Sequence, residues 1–238
     1  MMKYMRKFIY HFIISLFLCI GLTVKAAFAV ENDLHDWTST YITLPITEKI
    51  KFNIEETVRI GENFHHLNQN VLRPALGYQL TKDFSVWQGY AWNPSFYPRH
   101  INEQHIWQQA LWQHHFPKLT FTSRFRLQER FLEHVDGVSV RTRYYFRFQY
   151  PLDKKKIWSL VAQTEPFVTL NTRPRGPKAG LDRINSFFGI NKVISENLNV
   201  DLGYQLQYVN FISPAQDHLN HTIFAAFYFN LPQVIKKK

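Results

Sequence analysis

Cysteine is almost missing from this chain. The only one in 238 residues is Cys19, so no disulfide can form within the chain, and thiol catalysis and cysteine-built metal centres are excluded beyond that position. Leu18 precedes it, where a lipid-modified exported protein needs a small residue, so no lipid anchor is expected. After Ala29 there is no run of about 20 apolar residues, which excludes a transmembrane helix. A Gly-rich phosphate loop, a zinc-ligand spacing and a dinucleotide fingerprint are all absent. So are G-x-S-x-G and H-x-S, which removes the usual serine-hydrolase signatures. Acidic residues are in short supply, with 18 Asp and Glu against 28 Lys and Arg for a net charge of +10. Such a balance fits nucleic acid, anionic lipid or an anionic solute as partner.

The start of the chain narrows that choice. Lys3 and Arg6 form a positive cluster, the stretch from Phe8 to Val24 is almost wholly apolar, and Ala27-Phe28-Ala29 has the A-x-A form of a signal-peptidase site. Residues 1–29 are therefore read as a signal peptide cleaved after Ala29, and residues 30–238 as one exported domain. An exported protein has no regular access to nucleic acid, so that partner is set aside.

What the mature part has in abundance is alternation. From Leu119 the odd positions are Leu119, Phe121, Ser123, Phe125, Leu127, Glu129 and Phe131, while the even ones include Thr120, Arg124, Arg126 and Arg130. From Val138 the even positions run Val138, Val140, Thr142, Tyr144, Phe146, Phe148 and Tyr150, against Arg141, Arg143 and Arg147 on the odd side. Stretches 50–60 and 198–208 repeat the pattern. A β-strand turns successive side chains to opposite faces, so each stretch has one apolar and one polar side. Eleven candidate strands follow: 37–44, 50–60, 71–80, 84–92, 103–116, 119–131, 138–150, 157–170, 181–192, 198–211 and 221–231. Most reach the 9–11 residues that a tilted strand needs to cross a bilayer, well beyond the usual five or six.

Connections alternate between short (45–49, 81–83, 117–118, 151–156, 194–197) and longer, more polar ones (61–70, 93–102, 133–137, 171–180, 213–220), the asymmetry of an outer-membrane barrel. Aromatic residues, 16% of the chain, gather near strand ends at Trp37, Trp92, Phe96, Tyr97, Phe116, Tyr150, Trp158, Phe211 and Phe229, where interfacial girdles would lie. The fold class expected is an all-β, antiparallel transmembrane β-barrel of 10–12 strands, placed in the outer membrane of a Gram-negative cell and facing its lipid. Two features fit poorly. An odd strand count conflicts with the even numbers of bacterial barrels, and Glu56 stands on an otherwise apolar face, where a bulge or a reversed face assignment would account for it.

Two segments carry a family resemblance: Ser123-Arg124-Phe125-Arg126-Leu127-Gln128-Glu129-Arg130-Phe131, and Arg141-Thr142-Arg143-Tyr144-Tyr145-Phe146-Arg147-Phe148-Gln149-Tyr150-Pro151-Leu152. With Trp37, Trp87-Gln88-Gly89-Tyr90, the Glu165 strand and Leu202-Gly203-Tyr204, the chain resembles the DUF2490 family of exported bacterial proteins over nearly all its mature length. That resemblance implies an outer-membrane barrel. It implies no activity and no catalytic residue.

The candidate site is a charge network in the barrel lumen. Arg124, Arg126, Arg130, Arg141, Arg143 and Arg147 share the polar faces of two consecutive strands, with Glu55, Glu165 and Asp201 as counter-charges from other strands. Arginine forks pair with carboxylates through two parallel hydrogen bonds. Such a lumen is either held shut by its own ladders, giving a structural barrel, or is a narrow anion-favouring pore with small anions as solute. Neither role is catalytic. The alternative is a lipid-modifying enzyme or surface-binding protein acting through the outer loops, although no histidine sits clearly beside Ser123 or Ser139. His65, His66, His100, His105, His218 and His221 fall in or near those loops, but no metal site and no cofactor is expected. His114 and His115 are adjacent on one strand, point opposite ways and cannot chelate together. Oligomeric state is left open.

Overall fold

The structure is a computed structural model that describes residues 30–210 and 217–235. The signal-peptide reading of residues 1–29 lies outside the described residues, as do Phe211 and residues 213–216 of the last long connection, whose remaining residues 217–220 belong to a strand. No helix among the described residues is long and apolar enough to cross a membrane.

Eleven strands form one closed barrel: β1 Val30–Pro45, β2 Ile50–Gly61, β3 His66–Gln79, β4 Phe84–Trp92, β5 Glu103–Phe116, β6 Leu119–Leu132, β7 Ser139–Pro151, β8 Trp158–Thr169, β9 Gly180–Ser195, β10 Leu198–Val209 and β11 Asp217–Asn230. Each pairs with its sequence neighbours in antiparallel fashion, and the barrel closes where β1 meets β11. That closing pair is parallel, with Val30 beside Asp217 and Thr43 beside Asn230. It explains how an odd number of strands can close: ten turns reverse the chain, and β1 and β11 then run the same way. Val30 consequently lies at the end of the barrel that carries the longer connections.

All eleven segments expected from alternation are strands, with two notable differences in extent. β1 starts seven residues earlier than the alternation reached, because the added residues carry Glu31, Asp33 and His35 on one side and Asn32 and Asp36 on the other and leave no apolar side to read. The connection read as 61–70 shrinks to a turn at 62–65, with Glu62, Asn63 and Phe64 all at positive φ. Three successive left-handed residues reverse the chain sharply enough for His66 to begin the next strand. On the same end, Arg173 Nε donates to the Val138 carbonyl at 2.7 Å and Asn171 Nδ2 to the same oxygen at 3.0 Å, so the β6–β7 and β8–β9 connections are tied together. Gly137 at φ 79° lets the Arg173 guanidinium approach, since a Cβ there would sit 3.1 Å from Nη1.

The two faces of the wall differ as alternation requires. Phe125, Tyr144, Phe146, Leu202, Tyr204 and Ile223 are exposed on the outside. Inside, two small apolar clusters fill opposite parts of the lumen. Trp37, Val161, Phe187, Phe224 and Ala226 pack together with Tyr41 and Tyr228, while Ala75, Ala91 and Trp107 pack with Trp87. Gly89 makes room for the Trp107 ring, since a Cβ there would come within 2.2 Å of Cζ2.

Candidate functional site in the barrel interior

The register of β6 against β7 decides how the arginines meet. Arg126 stands directly opposite Arg143, Gln128 opposite Arg141, Arg124 opposite Tyr145, Thr122 opposite Arg147 and Arg130 opposite Ser139. Their outward neighbours Phe125, Tyr144 and Phe146 are exposed, so the arginines project inward. Directly opposed like charges repel unless carboxylates lie between them, and carboxylates arrive from five other strands.

Glu165 on β8 serves two arginines. Arg143 donates from Nε and Nη2 to its two oxygens at 3.0 and 2.7 Å, and Arg124 Nη2 donates to Oε1 at 2.6 Å. Asp201 on β10 is wholly buried and receives Arg147 through both terminal nitrogens at 2.5 and 3.0 Å. Asn191 Nδ2 at 2.7 Å and the Tyr228 hydroxyl at 3.0 Å complete its shell. Glu55 on β2 is paired with Arg73 of β3. Nearer the long-loop end, Arg130 Nε donates to Glu103 at 2.5 Å, and Arg141 Nη1 donates to Asp182 at 2.8 Å. Guanidinium planes also lie over aromatic rings, Arg143 over Phe167 at 4.4 Å and Arg124 over Tyr145 at 4.5 Å, which offsets part of the lost hydration of the cations.

Arg126 is different. It is 3% exposed and forms no ion pair among the described residues. Nε and Nη2 both donate to Gln109 Oε1, at 2.9 and 2.7 Å, the guanidinium lies 4.0 Å from the Trp107 ring, and Nη1 has no partner.

A cavity of about 500 Å³ opens among these groups. Its charged lining consists of Arg59, Arg73, Arg124, Arg143 and Arg147 against Glu55 and Glu165. Five cations facing two carboxylates make its wall positive. Arg59, Arg73, Glu103 and Asp182 are absent from the network expected from sequence. Arg59 is on the same polar face as Glu55, and following that face along β2 to its end would have found it. Arg73 stands alone between Val71 and Ala75, so no row announces it. Glu103 and Asp182 begin their strands, where alternation has barely started.

The histidines are scattered. His105, expected near an outer loop, is fully buried inside β5, with Nε2 2.6 Å from Glu103 and Nδ1 receiving the Gln128 amide at 3.1 Å. A strand start read as loop margin is the source of that misplacement. His66 stacks on Tyr97, and His221 meets the Tyr204 hydroxyl at 2.6 Å. Among the described residues no group of three His, Cys, Asp or Glu side chains is placed to hold a metal ion, and no serine hydroxyl is bonded to a histidine. Glu56 does face outward, and no bulge is needed to put it there: β2 keeps its register with β1 and β3 through that position.

Comparison with known proteins agrees with the architecture. A family model described as "Protein of unknown function (DUF2490)" matches residues 35–218. An uncharacterised protein of Methylorubrum extorquens is 30% identical over 194 residues, covering 79% of this chain and 84% of its own length. Among solved structures, the NanC porin in a rhombohedral crystal form superposes with a TM-score of 0.50 at 12% identity, covering 84% of this chain and 99% of its own. At that identity the likeness concerns the fold alone.

Proposed function

The chain belongs to the DUF2490 family, which brings a fold but no activity, and we propose from its geometry that it is a non-catalytic outer-membrane barrel acting as a narrow, anion-favouring pore. A porin-like barrel is consistent with an outer-membrane location. The apolar outer wall, exposing Phe125, Tyr144, Leu202 and Ile223, supports contact with lipid, because a soluble monomer rarely exposes so large an apolar surface. Export would use residues 1–29, with cleavage after Ala29.

The observation that carries the pore reading is the cavity of about 500 Å³ with five arginines and two carboxylates in its lining. Rings of arginine favour anions by replacing their hydration with fixed donors. The second reading, a closed structural barrel, draws on the ties that span several strands, such as Arg147 on β7 to Asp201 on β10. Both are tested by recording the purified barrel in a planar bilayer across a KCl gradient. Discrete steps with a reversal potential on the chloride side are expected. Silent bilayers favour the structural barrel, and cation preference overturns the pore reading.

A further inference from the structure

Outward-facing polar side chains are concentrated on one side of the wall. At outward positions in or near the middle of five adjacent strands stand Thr38 and Thr40 on β1, Glu56 on β2, Asn70 on β3, Gln88 on β4 and Gln108 on β5. The register joins them laterally, with Thr40 opposite Glu56 and Gln88 opposite Gln108. On the wall that continues past β1, the outward mid-strand residues of β11, β10 and β9 include Ile223, Leu202, Tyr204 and Phe188, all strongly exposed. Outward polar residues on β7, β8 and β9 are satisfied locally, Thr164 and Ser186 by bonding each other at 3.2 Å and Thr142 by donating to the Val168 carbonyl at 3.3 Å, while β6, next to the stripe, adds Ser123 and Glu129 to its outward face.

The stripe on β1–β5 is not satisfied within one chain. Glu56 is exposed and, among the described residues, receives only the Asn70 amide, at 3.3 Å. Asn70 Oδ1 and Gln108 Oε1 are shielded from solvent without a partner. Gln88 reaches no farther than the neighbouring Gly89 carbonyl, at 3.3 Å. The β3–β4 ladder on this wall skips Arg73 and Pro74, where Pro74 has no N–H to contribute, as the β7–β8 ladder elsewhere skips Tyr144 and Tyr145.

In the membrane setting proposed above, on which this rests, the middle of the wall meets hydrocarbon, where water cannot complete such groups. We infer that a second copy of this chain covers the stripe, and that β1–β5 form the interface of a homodimer with its two-fold axis along the membrane normal. A two-fold interface sets one patch against itself, so the patch must carry both donors and acceptors. This one does. The amide N–H groups of Gln88 and Gln108 and the Thr40 hydroxyl supply donors, while the exposed Glu56 carboxylate and the Gln88 amide oxygen supply acceptors, and polar groups of this kind join membrane segments across a lipid-excluding contact.

Single cysteines test it, in a Cys19→Ser background so that the introduced thiol is the only one. The full chain carrying Gln88→Cys is expressed, and outer membranes are treated with a short bifunctional thiol reagent. Gln88→Cys is expected to give a band at twice the chain mass, and Leu202→Cys on the opposite wall is not. Replacing Glu56 and Gln108 together by Leu is expected to shift the detergent-solubilised protein from dimer to monomer mass. The faster migration of unheated barrel on a denaturing gel confirms that this variant folds. A folded membrane-borne monomer with uncross-linked Gln88→Cys overturns the dimer alone. So does cross-linking to a different protein, or equal cross-linking from both walls. Recovery of the chain outside the outer-membrane fraction overturns the location reading and the dimer with it.

Discussion

At the scale of single residues, the interior is a contrast between paired and unpaired charge. Glu165 is 7% exposed and holds two arginines. Replacing it with Gln leaves Arg124 without an ion pair and Arg143 with a neutral acceptor. Stranding a buried charge costs roughly 3–5 kcal/mol, more than the intact pair contributes relative to a well-packed apolar substitute. Glu165→Gln is therefore expected to lower the detergent unfolding temperature clearly. Arg126 is the control, since it already lacks a carboxylate. Arg126→Met keeps contact with Trp107 and removes an unpaired buried cation, so its stability is expected to stay within about 1 kcal/mol of the parent or to rise. Thermal unfolding of both variants in one detergent decides the matter. Equal losses would show that ion pairing is not what the arginines contribute.

Elements differ in how openly the sequence declares them. β6, β7 and β10 alternate over most of their length and were legible to within a residue or two at their described ends. β1 was half hidden, because Glu31, Asn32, Asp33, His35 and Asp36 make both sides of its first half polar. The arginine rows were visible because several lie in register on one strand. Of their partners Glu165 and Asp201 were legible, whereas Glu103, which reaches Arg130 across the β5–β6 hairpin, and Asp182, which reaches Arg141 past β8, stand at strand starts where alternation has barely begun. Connections hold their own chemistry. In the β7–β8 turn the backbone N–H groups of Trp158 and Ile157 donate to Asp153, at 2.9 and 3.3 Å, and hold its carboxyl below the usual carboxylate range. A folded-state value depressed in this way gives stabilisation that is present above the unfolded value and is lost as pH falls through the folded one. Amide exchange at Trp158, corrected for its intrinsic pH dependence, is expected to be slow at neutral pH and to accelerate only below the ordinary aspartate range. Asp153→Ala, which leaves no side-chain acceptor, should make it fast at every pH. Protection that is independent of both pH and the substitution would remove Asp153 from the turn.

At the scale of the whole molecule, the parallel seam is the feature that sets the barrel's size and places Val30. Even-stranded bacterial barrels need no such pair, although a 19-stranded mitochondrial barrel shows that odd closure is attainable. The alternative for this chain is a ten-stranded barrel in which β2 closes directly on β11 and β1 is expelled. Two cysteine pairs distinguish them, again with Cys19→Ser. Ser39 on β1 is the register partner of Ala226 on β11, and both are buried on the inner side. Neighbouring strands lie about 4.8 Å apart, within the Cα separation that a disulfide spans. Thr57 on β2 is in turn the partner of Ser39, which puts it two strands, or about 10 Å, from Ala226 and beyond disulfide reach. Ser39→Cys with Ala226→Cys is expected to form an internal disulfide on mild oxidation, and Thr57→Cys with Ala226→Cys to stay reduced. The bond should keep a heated, non-reduced sample compact on a denaturing gel, because it closes nearly the whole chain into one loop. Reversal of the two results would mean that β2 meets β11 directly, and Val30 would then be released from the long-loop end to which the parallel seam now ties it.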